Sequence, residues 1–400
     1  MQDVFIAGYS DKLSARPGET ITFSVSSRAR EAFRATLFRS ISADPNPDGP
    51  GIIEDDASTY FKPSSFASRY QGFTPGSFAH SKTDLQANIK SDLVIRLWFM
   101  PTVLAATDQT LLVWGTVSII LDPQGVITAR LPDGMSVSTS VPIKCNHWHS
   151  LKFQVSASGV VALDVKSTMT GKANIEIANN GQTEFDIAKI FPVSVKAPVR
   201  IAAGFFDPPC CFNGKIEAPE ILVDGSLIAK WDFSQDISSL TVRAIAGPDL
   251  LLKNAPTRGV KGRKWDATEF CWRHKPDHYA AISFHDDDIY DFEWDSDFEF
   301  VIPDDMPSGI YIMRIEAEGH YDAMPFFVCP PLGKRRADLC VLVSTFTYTI
   351  YGNHARPDFE PSWLEKISSW KAYPNNPFQY RHYGLSTYNN HTDGSVSYTH

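Results

Sequence analysis

Residues 110–131 read TLLVWGTVSIILDPQGVITARL, which is a series of short apolar and alternating stretches interrupted by a Pro-Gln-Gly bend. Apolar side chains that recur at every second position predict a β-strand with one buried face. Glycine next to proline is typical of the turn between two such strands. The segment therefore predicts consecutive β-strands, with no helical period.

Similar stretches lie on both sides of this segment. They are SDLVIRLWFMPT (91–102), HWHSLKFQVSASGVVALDVKS (147–167) and SLIAKWDFS (226–234). Many short strands at regular spacing indicate a two-sheet sandwich, which we predict for residues 59–260. The order of an apolar Trp-Phe strand, a Trp-His strand and a closing WDFS phrase resembles a laminin-G-like, concanavalin-type jelly roll.

The two ends of the region around this sandwich are also rich in strand signals. SARPGETITFSVSS (14–27) has a turn followed by alternation, and FEFVIPDDMPSGIYIMRIEAEG (298–319) reads as strand, turn, strand. We predict Ig-like strands at residues 1–58, completed by residues 265–330 within a closing segment that spans 261–330. Residues 1–330 are therefore predicted to be mainly β.

Residues 331–400 differ in character. A Pro-rich linker precedes the apolar run Leu339 to Val343, which predicts a parallel strand buried on both faces. WLEKISSWKAY (363–373) has apolar residues at helical spacing, so the segment predicts the start of an α/β domain that appears truncated. The polar residues that follow the run would lie at the carboxyl end of its strand, where open α/β sheets bind ligands.

Charge and hydropathy exclude several classes of protein. Lys and Arg number 37 and Asp and Glu 46, a net charge of −9, and no long basic run is present, so nucleic acid is not an expected partner. The N-terminal residues lack the pattern of a signal peptide, and no run of about eighteen apolar residues occurs. We therefore predict a cytoplasmic protein without a membrane span.

Two features allow alternative interpretations. Trp98, Trp114, Trp148 and Trp231 suit either the core of the sandwich or a platform for carbohydrate, and their position within apolar strands favours the core. The run Asp286 to Asp288 suits either a solvated loop or a site for a hard cation. We predict the loop, because the run lacks the turn glycine and the alternate ligands of a calcium loop.

Two phrases near the C-terminus carry a family resemblance. TFTYTIYGNHARPD (345–358) and YGLSTYNNHTDGS (383–395), together with the β domains, resemble the large (beta) subunit of N,N-dimethylformamidase. The resemblance implies an amidohydrolase that converts N,N-dimethylformamide and related small N-substituted amides to amine and formate. It implies attack by metal-bound hydroxide on a metal-polarised carbonyl, with a mononuclear non-haem Fe(III) held by two tyrosines and one glutamate.

The resemblance also implies site residues and partners. Two of Tyr348, Tyr351 and Tyr388 are expected to bind the iron, whereas the glutamate and the acid–base groups are expected beyond residue 400. Expected partners are a small (alpha) subunit and other copies of the large subunit. The remaining candidates are His391 and Asn353 for catalysis, Asn389 and Asp393 for substrate binding, and His354 and Asn390 as neighbours that orient the site.

Two other functions remain open from the sequence. A carbohydrate-binding jelly-roll protein would present exposed aromatic side chains along one sheet face. A non-catalytic scaffold subunit would use its β domains for assembly and bind no ligand.

Overall fold

The structure is a computed structural model that describes residues 3–168, 176–184, 194–205, 209–334, 337–354, 360–371, 377, 379–384 and 386–396. The chain divides into two compact units. Unit 1 comprises residues 1–73 and 292–389, and unit 2 comprises residues 74–291 and 390–400. Unit 2 is therefore largely an insertion in the sequence of unit 1.

The strands are numbered in chain order. The first six are β1 Ile6–Ser10, β2 Ser14–Ala15, β3 Thr20–Ser27, β4 Phe33–Ala43, β5 Ile52–Asp56 and β6 Ser64–Phe66. Those of unit 2 are β7 Phe78–Ser81, β8 Leu85–Ala87, β9 Leu93–Pro101, β10 Gln109–Trp114, β11 Val117–Leu121, β12 Ile127–Arg130, β13 Ser136–Ser138, β14 Trp148–Val155, β15 Val160–Thr168, β16 Glu176–Glu184, β17 Val195–Ala197, β18 Val199–Ile201, β19 Gly214–Val223, β20 Ser226–Trp231, β21 Thr241–Val242, β22 Ala244–Ala246, β23 Leu250–Lys253, β24 Thr257–Val260 and β25 Ala281–Phe284. The last three are β26 Phe298–Val301, β27 Gly309–Ala317 and β28 His320–Val328.

Helices are short and lie mainly near the C-terminus. Within the described residues, the α-helices are α1 Thr345–Tyr351 and α2 Pro361–Ser369, and the 3-10 turns are Pro132–Gly134, Pro276–Tyr279 and Arg381–Tyr383. Among the described residues, none of the helices is long and apolar enough to cross a bilayer.

Unit 1 is a sandwich of two sheets. A three-stranded sheet has the order β1-β3-β26, and a six-stranded sheet has the order β2-β28-β27-β4-β5 with β6 paired to β4. Phe23 of the first sheet stacks on Phe298 at 4.9 Å and meets Phe326 of the second sheet edge-on at 6.1 Å. The apolar side chains on the inward faces of the two sheets thus pack into one core.

Strand β26 pairs directly with the N-terminal strand β3, although 270 residues separate Ser27 from Asp297. The carboxylate of Asp297 accepts a hydrogen bond from the Val25 backbone N–H at 2.7 Å and lies 3.1 Å from Arg69 Nε. The charged contact caps the end of the pairing, so β26 cannot slip without leaving an unpaired carboxylate.

Unit 2 is a larger sandwich. Its two main sheets follow the orders β13-β12-β11-β10-β18-β7-β23-β21 and β16-β15-β14-β9-β19-β20-β22, and β25 joins the second through β19. Leu111, Trp114 and Ile119 from one sheet share a buried cluster with Phe99 and Phe153 from the other. The prediction of a mainly β chain with a two-sheet sandwich is confirmed.

The four tryptophans considered for a carbohydrate platform pack within the sandwich of unit 2. Trp114, Trp148 and Trp231 are buried, and the guanidinium of Arg263 covers the ring of Trp98 at 4.6 Å. The core interpretation of these side chains is confirmed, because none of the four rings forms an open row on a sheet face.

The parallel strand predicted at Leu339 to Val343 is wrong. These residues are irregular and exposed, with 93% of Leu342 accessible, and the following Thr345–Tyr351 is helical instead of a loop. A buried parallel strand needs a hydrogen-bonding neighbour. Among the described residues after 330, no strand is available to pair with this run, so the start of the α/β domain is not formed as predicted.

Unit boundaries also differ from the predicted domain limits of 58, 260 and 330. Residues 59–73 belong to unit 1, and unit 2 extends to residue 291 before resuming at 390. The first strand of the predicted strand–turn–strand segment at 298–319 is limited to Phe298–Val301. Strand β25 explains the longer unit 2, because it pairs with β19 and so belongs to that sandwich.

We expect Phe23→Ala to destabilise unit 1 by about 3–5 kcal/mol, since truncation of a fully buried ring leaves a cavity between the two sheets. The matched control is Phe346→Ala, because this ring is 86% exposed on helix α1. The control should change stability by less than about 0.5 kcal/mol. Thermal and urea unfolding of both variants measure the difference, and equal effects would contradict the core assignment.

Candidate active site

Tyr351 is the last residue of helix α1. The residues that cap the helix are Ser344 at its N-terminal end and Gly352 at its C-terminal end. The sequence TFTYTIY contains three β-branched threonines and one isoleucine, which lower helix propensity. Asn353 then takes a left-handed conformation with φ 56°, a geometry that asparagine tolerates better than most residues. Weak local signals therefore explain why the sequence favoured a loop here.

A turn further along the chain is held against this helix end. Ser386 Oγ donates to the Ile350 carbonyl at 2.6 Å, and Thr387 Oγ1 donates to the same oxygen at 3.3 Å. The last carbonyls of a helix lack intrahelical partners, so two hydroxyl donors satisfy one of them. These contacts bring Tyr388, which follows Thr387, close to Tyr351, which follows Ile350.

Those two residues are Tyr388 and Tyr351. Their rings stack with centroids 4.5 Å apart and planes at 11°, and their side-chain hydroxyls are hydrogen-bonded to each other. The hydrogen bond to Tyr351 raises the pKa of Tyr388. Both side chains are exposed, by 46% for Tyr351 and 41% for Tyr388, so the paired oxygens are open to a ligand.

Tyr348 lies elsewhere. Its ring stacks on Phe327 with centroids 6.2 Å apart, and within the described part of the chain no ring contact joins it to Tyr388. Of the two alternatives for the second tyrosine ligand, the structure thus places Tyr351 beside Tyr388.

A pocket of about 670 Å³ in unit 1 adjoins the tyrosine pair. It is lined by Val4, Ala7, Gly8, Tyr9, Phe292, Trp294, Asp322, Ala323, Tyr351, Asn353, His354, Ile367, Pro377, Tyr380, Tyr383 and Gly384. Asn353 donates through Nδ2 to the Gly384 carbonyl at 3.2 Å, which ties the helix end to the far wall. Its size and aromatic lining are those of a small-molecule site.

Asp322 is the acidic group in the wall of this pocket. It accepts hydrogen bonds from the backbone N–H groups of Gly8 at 3.0 Å and Ala323 at 2.9 Å. Burial nevertheless raises the pKa of Asp322 to about 6. A carboxyl with a pKa this close to neutrality can accept or release a proton under physiological conditions.

His354 is another wall residue with an available polar atom. Its ring meets Tyr351 edge-on at 5.5 Å, and its buried Nδ1 has no hydrogen-bond partner among the described residues. A substrate oxygen or amide in the pocket would supply that partner.

The other predicted residues lie in two separate places. Asn389 is buried in unit 1, where its N–H donates to the Ser386 carbonyl at 2.8 Å. Asn390 bridges to Val396 in unit 2, and the same short segment carries His391 and Asp393. Asp393 is fully buried there, and its Oδ1 accepts from the Ser395 N–H at 2.9 Å.

His391 is paired with the acidic run at 286–288. Its Nδ1 lies 2.7 Å from Asp287 Oδ1. Burial opposes protonation, but the hydrogen bond to Asp287 and the charges of Asp288 and Asp393 outweigh it and raise the pKa of His391. The prediction of a solvated loop for Asp286 to Asp288 is wrong at Asp288, whose side chain is only 15% exposed.

Sequence reasoning missed Asp322 and His285. Asp322 alternates with Met324, Phe326 and Val328 on the inward face of β28, so an acid on an apolar face was a detectable signal. His285 directly follows the fully buried strand β25 and lies 3.9 Å from His391, ring to ring. That pairing joins residues more than a hundred positions apart, and no local pattern encodes it.

Comparison with known proteins finds similarity to subunits of one enzyme. Residues 257–400 match the family described as N,N-dimethylformamidase beta subunit-like, C-terminal. The N,N-dimethylformamidase beta subunits of Paracoccus aminophilus and an Alcaligenes species are 29% and 28% identical to the chain, respectively, over all of its length. The chain is thus similar to N,N-dimethylformamidase beta subunits, and the family model matches its C-terminal part. It spans 59% of the length of each of these relatives.

Solved structures show only distant likeness. A heptameric pentraxin from Limulus polyphemus is 12% identical with a TM-score of 0.27, over 48% of this chain and 75% of that one. A putative carbohydrate-binding protein from Bacteroides ovatus is 11% identical with a TM-score of 0.31, over 58% of this chain and 66% of that one.

We expect Asp322→Asn to stabilise unit 1 at pH 8 and to have little effect at pH 4. The folded-state pKa of Asp322 is raised from 3.8 to about 6, so the native state loses stability as pH rises between these values. The amide carries no charge and keeps an acceptor for the Gly8 N–H. The gain at pH 8 should reach at most about 3 kcal/mol by urea unfolding.

Asp224→Asn is the control, because the pKa of Asp224 is shifted in the opposite direction and the change in stability should have the opposite sign. Three backbone N–H groups donate to this carboxylate, which lowers the pKa of Asp224 to about 2. Its stabilisation is present at neutral pH and is lost as pH falls from about 4 towards 2, so this variant should destabilise at pH 8. The same pH dependence in both variants would refute the assignment of Asp322.

Proposed function

We propose that this chain forms part of the large subunit of an iron-dependent amidohydrolase that cleaves N,N-dimethylformamide and related small N-substituted amides to amine and formate. The observation that carries the proposal is the stacked, hydrogen-bonded pair Tyr351 and Tyr388, of which Tyr351 lines an aromatic pocket. The match of residues 257–400 to the family model and the names of the relatives support the same activity.

The donor set fits a ferric ion. Two phenol oxygens lie within hydrogen-bond distance of each other, and deprotonated phenols are hard anionic ligands that suit Fe(III). In the absence of a cation, the raised pKa of Tyr388 keeps its phenol protonated at neutral pH, so binding must release protons. When bound, the metal would supply Lewis acidity for the amide carbonyl and for water. The glutamate ligand implied by the family resemblance is not assigned in residues 1–400 and stays a prediction.

The chain's own side chains have separate roles. The rings of Tyr9, Phe292 and Trp294 offer an apolar wall for N-alkyl groups and exclude water from them. Asp322 holds a proton near neutral pH and is our candidate for proton transfer to the departing amine. Asn353 and His354 orient the substrate, whereas His391 and Asp393 belong to unit 2 and take no step in this proposal.

Assembly is proposed on the same basis. The relatives are named as beta subunits, so we infer a small alpha subunit as a partner of this chain and self-association of large subunits. We also infer a cytoplasmic location. The carbohydrate-binding alternative is disfavoured, because the tryptophans that would form a platform are buried or covered by Arg263.

We expect the protein expressed from its native-length gene to show a visible tyrosinate-to-iron charge-transfer band with about one iron per large subunit. Tyr388→Phe and Tyr351→Phe should each abolish the band, since each removes one phenolate. Tyr348→Phe is the matched control and should retain the band, because this ring packs on Phe327 away from the pair.

Absorption spectra and metal analysis are the measurements, and hydrolysis of N,N-dimethylformamide by the same preparations tests the substrate. An iron-free, colourless protein would contradict the cofactor. Retention of the band in Tyr351→Phe together with its loss in Tyr348→Phe would reverse the assignment of the second tyrosine.

A further inference from the structure

Unit 2 contains a second group of metal-binding side chains that is distinct from the tyrosine pair. His285, Asp288 and His391 each place one ligand atom within 4.8 Å of the others. The two histidines are stacked with ring centroids 3.9 Å apart and planes at 9°. They come from two segments of the same unit, the turn after β25 and the loop at 390–396.

The turn after β25 is rigidly held. Ser77 N–H donates to the His285 carbonyl at 2.8 Å, and Ser77 Oγ donates to Asp288 Oδ2 at 2.6 Å. Gly76 N–H donates to the Asp288 carbonyl at 2.9 Å. Two ends of the turn are therefore anchored to the same short segment, which fixes the direction of both candidate ligands.

The second loop is equally well defined. His391 N–H donates to the Ser395 carbonyl at 2.8 Å, and Thr392 N–H donates to Asp287 Oδ2 at 2.9 Å. His391 therefore reaches the cluster from a closed loop that is bonded to the acidic run.

Charge in the cluster is unbalanced. Asp287, Asp288 and Asp393 have side-chain exposures of 33%, 15% and 0%. In the part of the chain that the structure describes, their ion pairs are all with His285 or His391. Three buried or half-buried carboxylates therefore face two histidine rings, and no lysine or arginine takes part in these ion pairs. A divalent cation would supply the missing positive charge.

Distances and outer contacts agree with metal ligation. His285 Nδ1 is 3.3 Å from Asp288 Oδ2, and His391 Nδ1 is 4.0 Å from Asp288 Oδ1. Ligands that share a cation with bonds of about 2.1 Å lie roughly 3 to 3.5 Å apart, so small side-chain rotations bring the set together. At the other face of its ring, His285 Nε2 lies 3.3 Å from Ser395 Oγ and 3.8 Å from Asp393 Oδ2, an outer partner typical of metal-bound histidine.

We propose that His285, Asp288 and His391 form a binding site for a divalent transition-metal cation of the zinc and cobalt class. Two imidazole nitrogens and one carboxylate oxygen suit such ions, whereas calcium and magnesium prefer sites made only of oxygen ligands. The bound cation joins the turn after β25 to the loop at 390–396 and stabilises unit 2. The site is independent of the proposed amide hydrolysis.

The test is a Co²⁺ titration of the 400-residue chain in a Tyr351→Phe, Tyr388→Phe background, after treatment with a chelator. This background removes the tyrosine pair, so failure of the iron proposal does not affect the result. We expect one saturable equivalent of Co²⁺ with visible d–d absorption. His391→Gln and Asp288→Asn should each weaken binding by at least about tenfold.

His80→Gln is the matched control, because this histidine is half-buried in unit 2 and hydrogen-bonded to the Ser81 carbonyl, outside the cluster. It should bind Co²⁺ as the background protein does. Zn²⁺ should also raise the unfolding temperature of unit 2 in the background protein and not in Asp288→Asn. Circular dichroism establishes whether each variant is folded. If His391→Gln does not fold, the Co²⁺ affinity of Asp288→Asn alone tests the proposal. The absence of saturable binding, or equal affinity in the ligand variants and the control, would overturn the proposal.

Discussion

Unit 1 depends on the pairing of β3 with β26, because this contact closes its smaller sheet across most of the chain. Phe23 and Phe298 form the first pair of this ladder and their rings stack, and the adjacent Asp297 binds both the Val25 N–H and Arg69. Apolar burial supplies the driving force, whereas the buried carboxylate selects one register. The large insertion that forms unit 2 is compatible with this closure, since the entropy cost of a loop grows only slowly with its length.

The two candidate sites share a physical principle. In each, a hydrogen bond that satisfies an otherwise unpaired group brings two distant side chains together. Hydroxyls of the 386–389 turn donate to a helix-end carbonyl and place Tyr388 on Tyr351. A backbone N–H of the 390–396 loop donates to Asp287 and places His391 on His285. Hydrogen bonds that satisfy backbone polar groups thus also position the side chains of the candidate sites.

Two aspartates of this chain show how the surroundings of a carboxyl group set its pKa. Asp322 faces a pocket and is desolvated, which raises its pKa, whereas Asp224 accepts three backbone hydrogen bonds and has a lowered one. These two aspartates are the same residue type in the same chain. Only the surroundings decide whether the carboxyl holds a proton near neutral pH or stays ionised.

The sequence alone determined that residues 1–330 are mainly β and form sandwiches, and that Trp114, Trp148 and Trp231 lie in the core, because alternation carries this information. It did not determine the fate of Leu339 to Val343, where an apolar run was taken for a strand and pairing neighbours decide the outcome. Nor did it indicate that Tyr351, and not Tyr348, stacks on Tyr388, because that contact depends on the position of helix α1. The contact of Asp322 with Gly8 joins residues 314 positions apart in the sequence. The contact of His285 with His391 joins residues more than a hundred positions apart. Such contacts were decided only by the tertiary structure, since sequence patterns describe one element at a time and packing brings separate elements together.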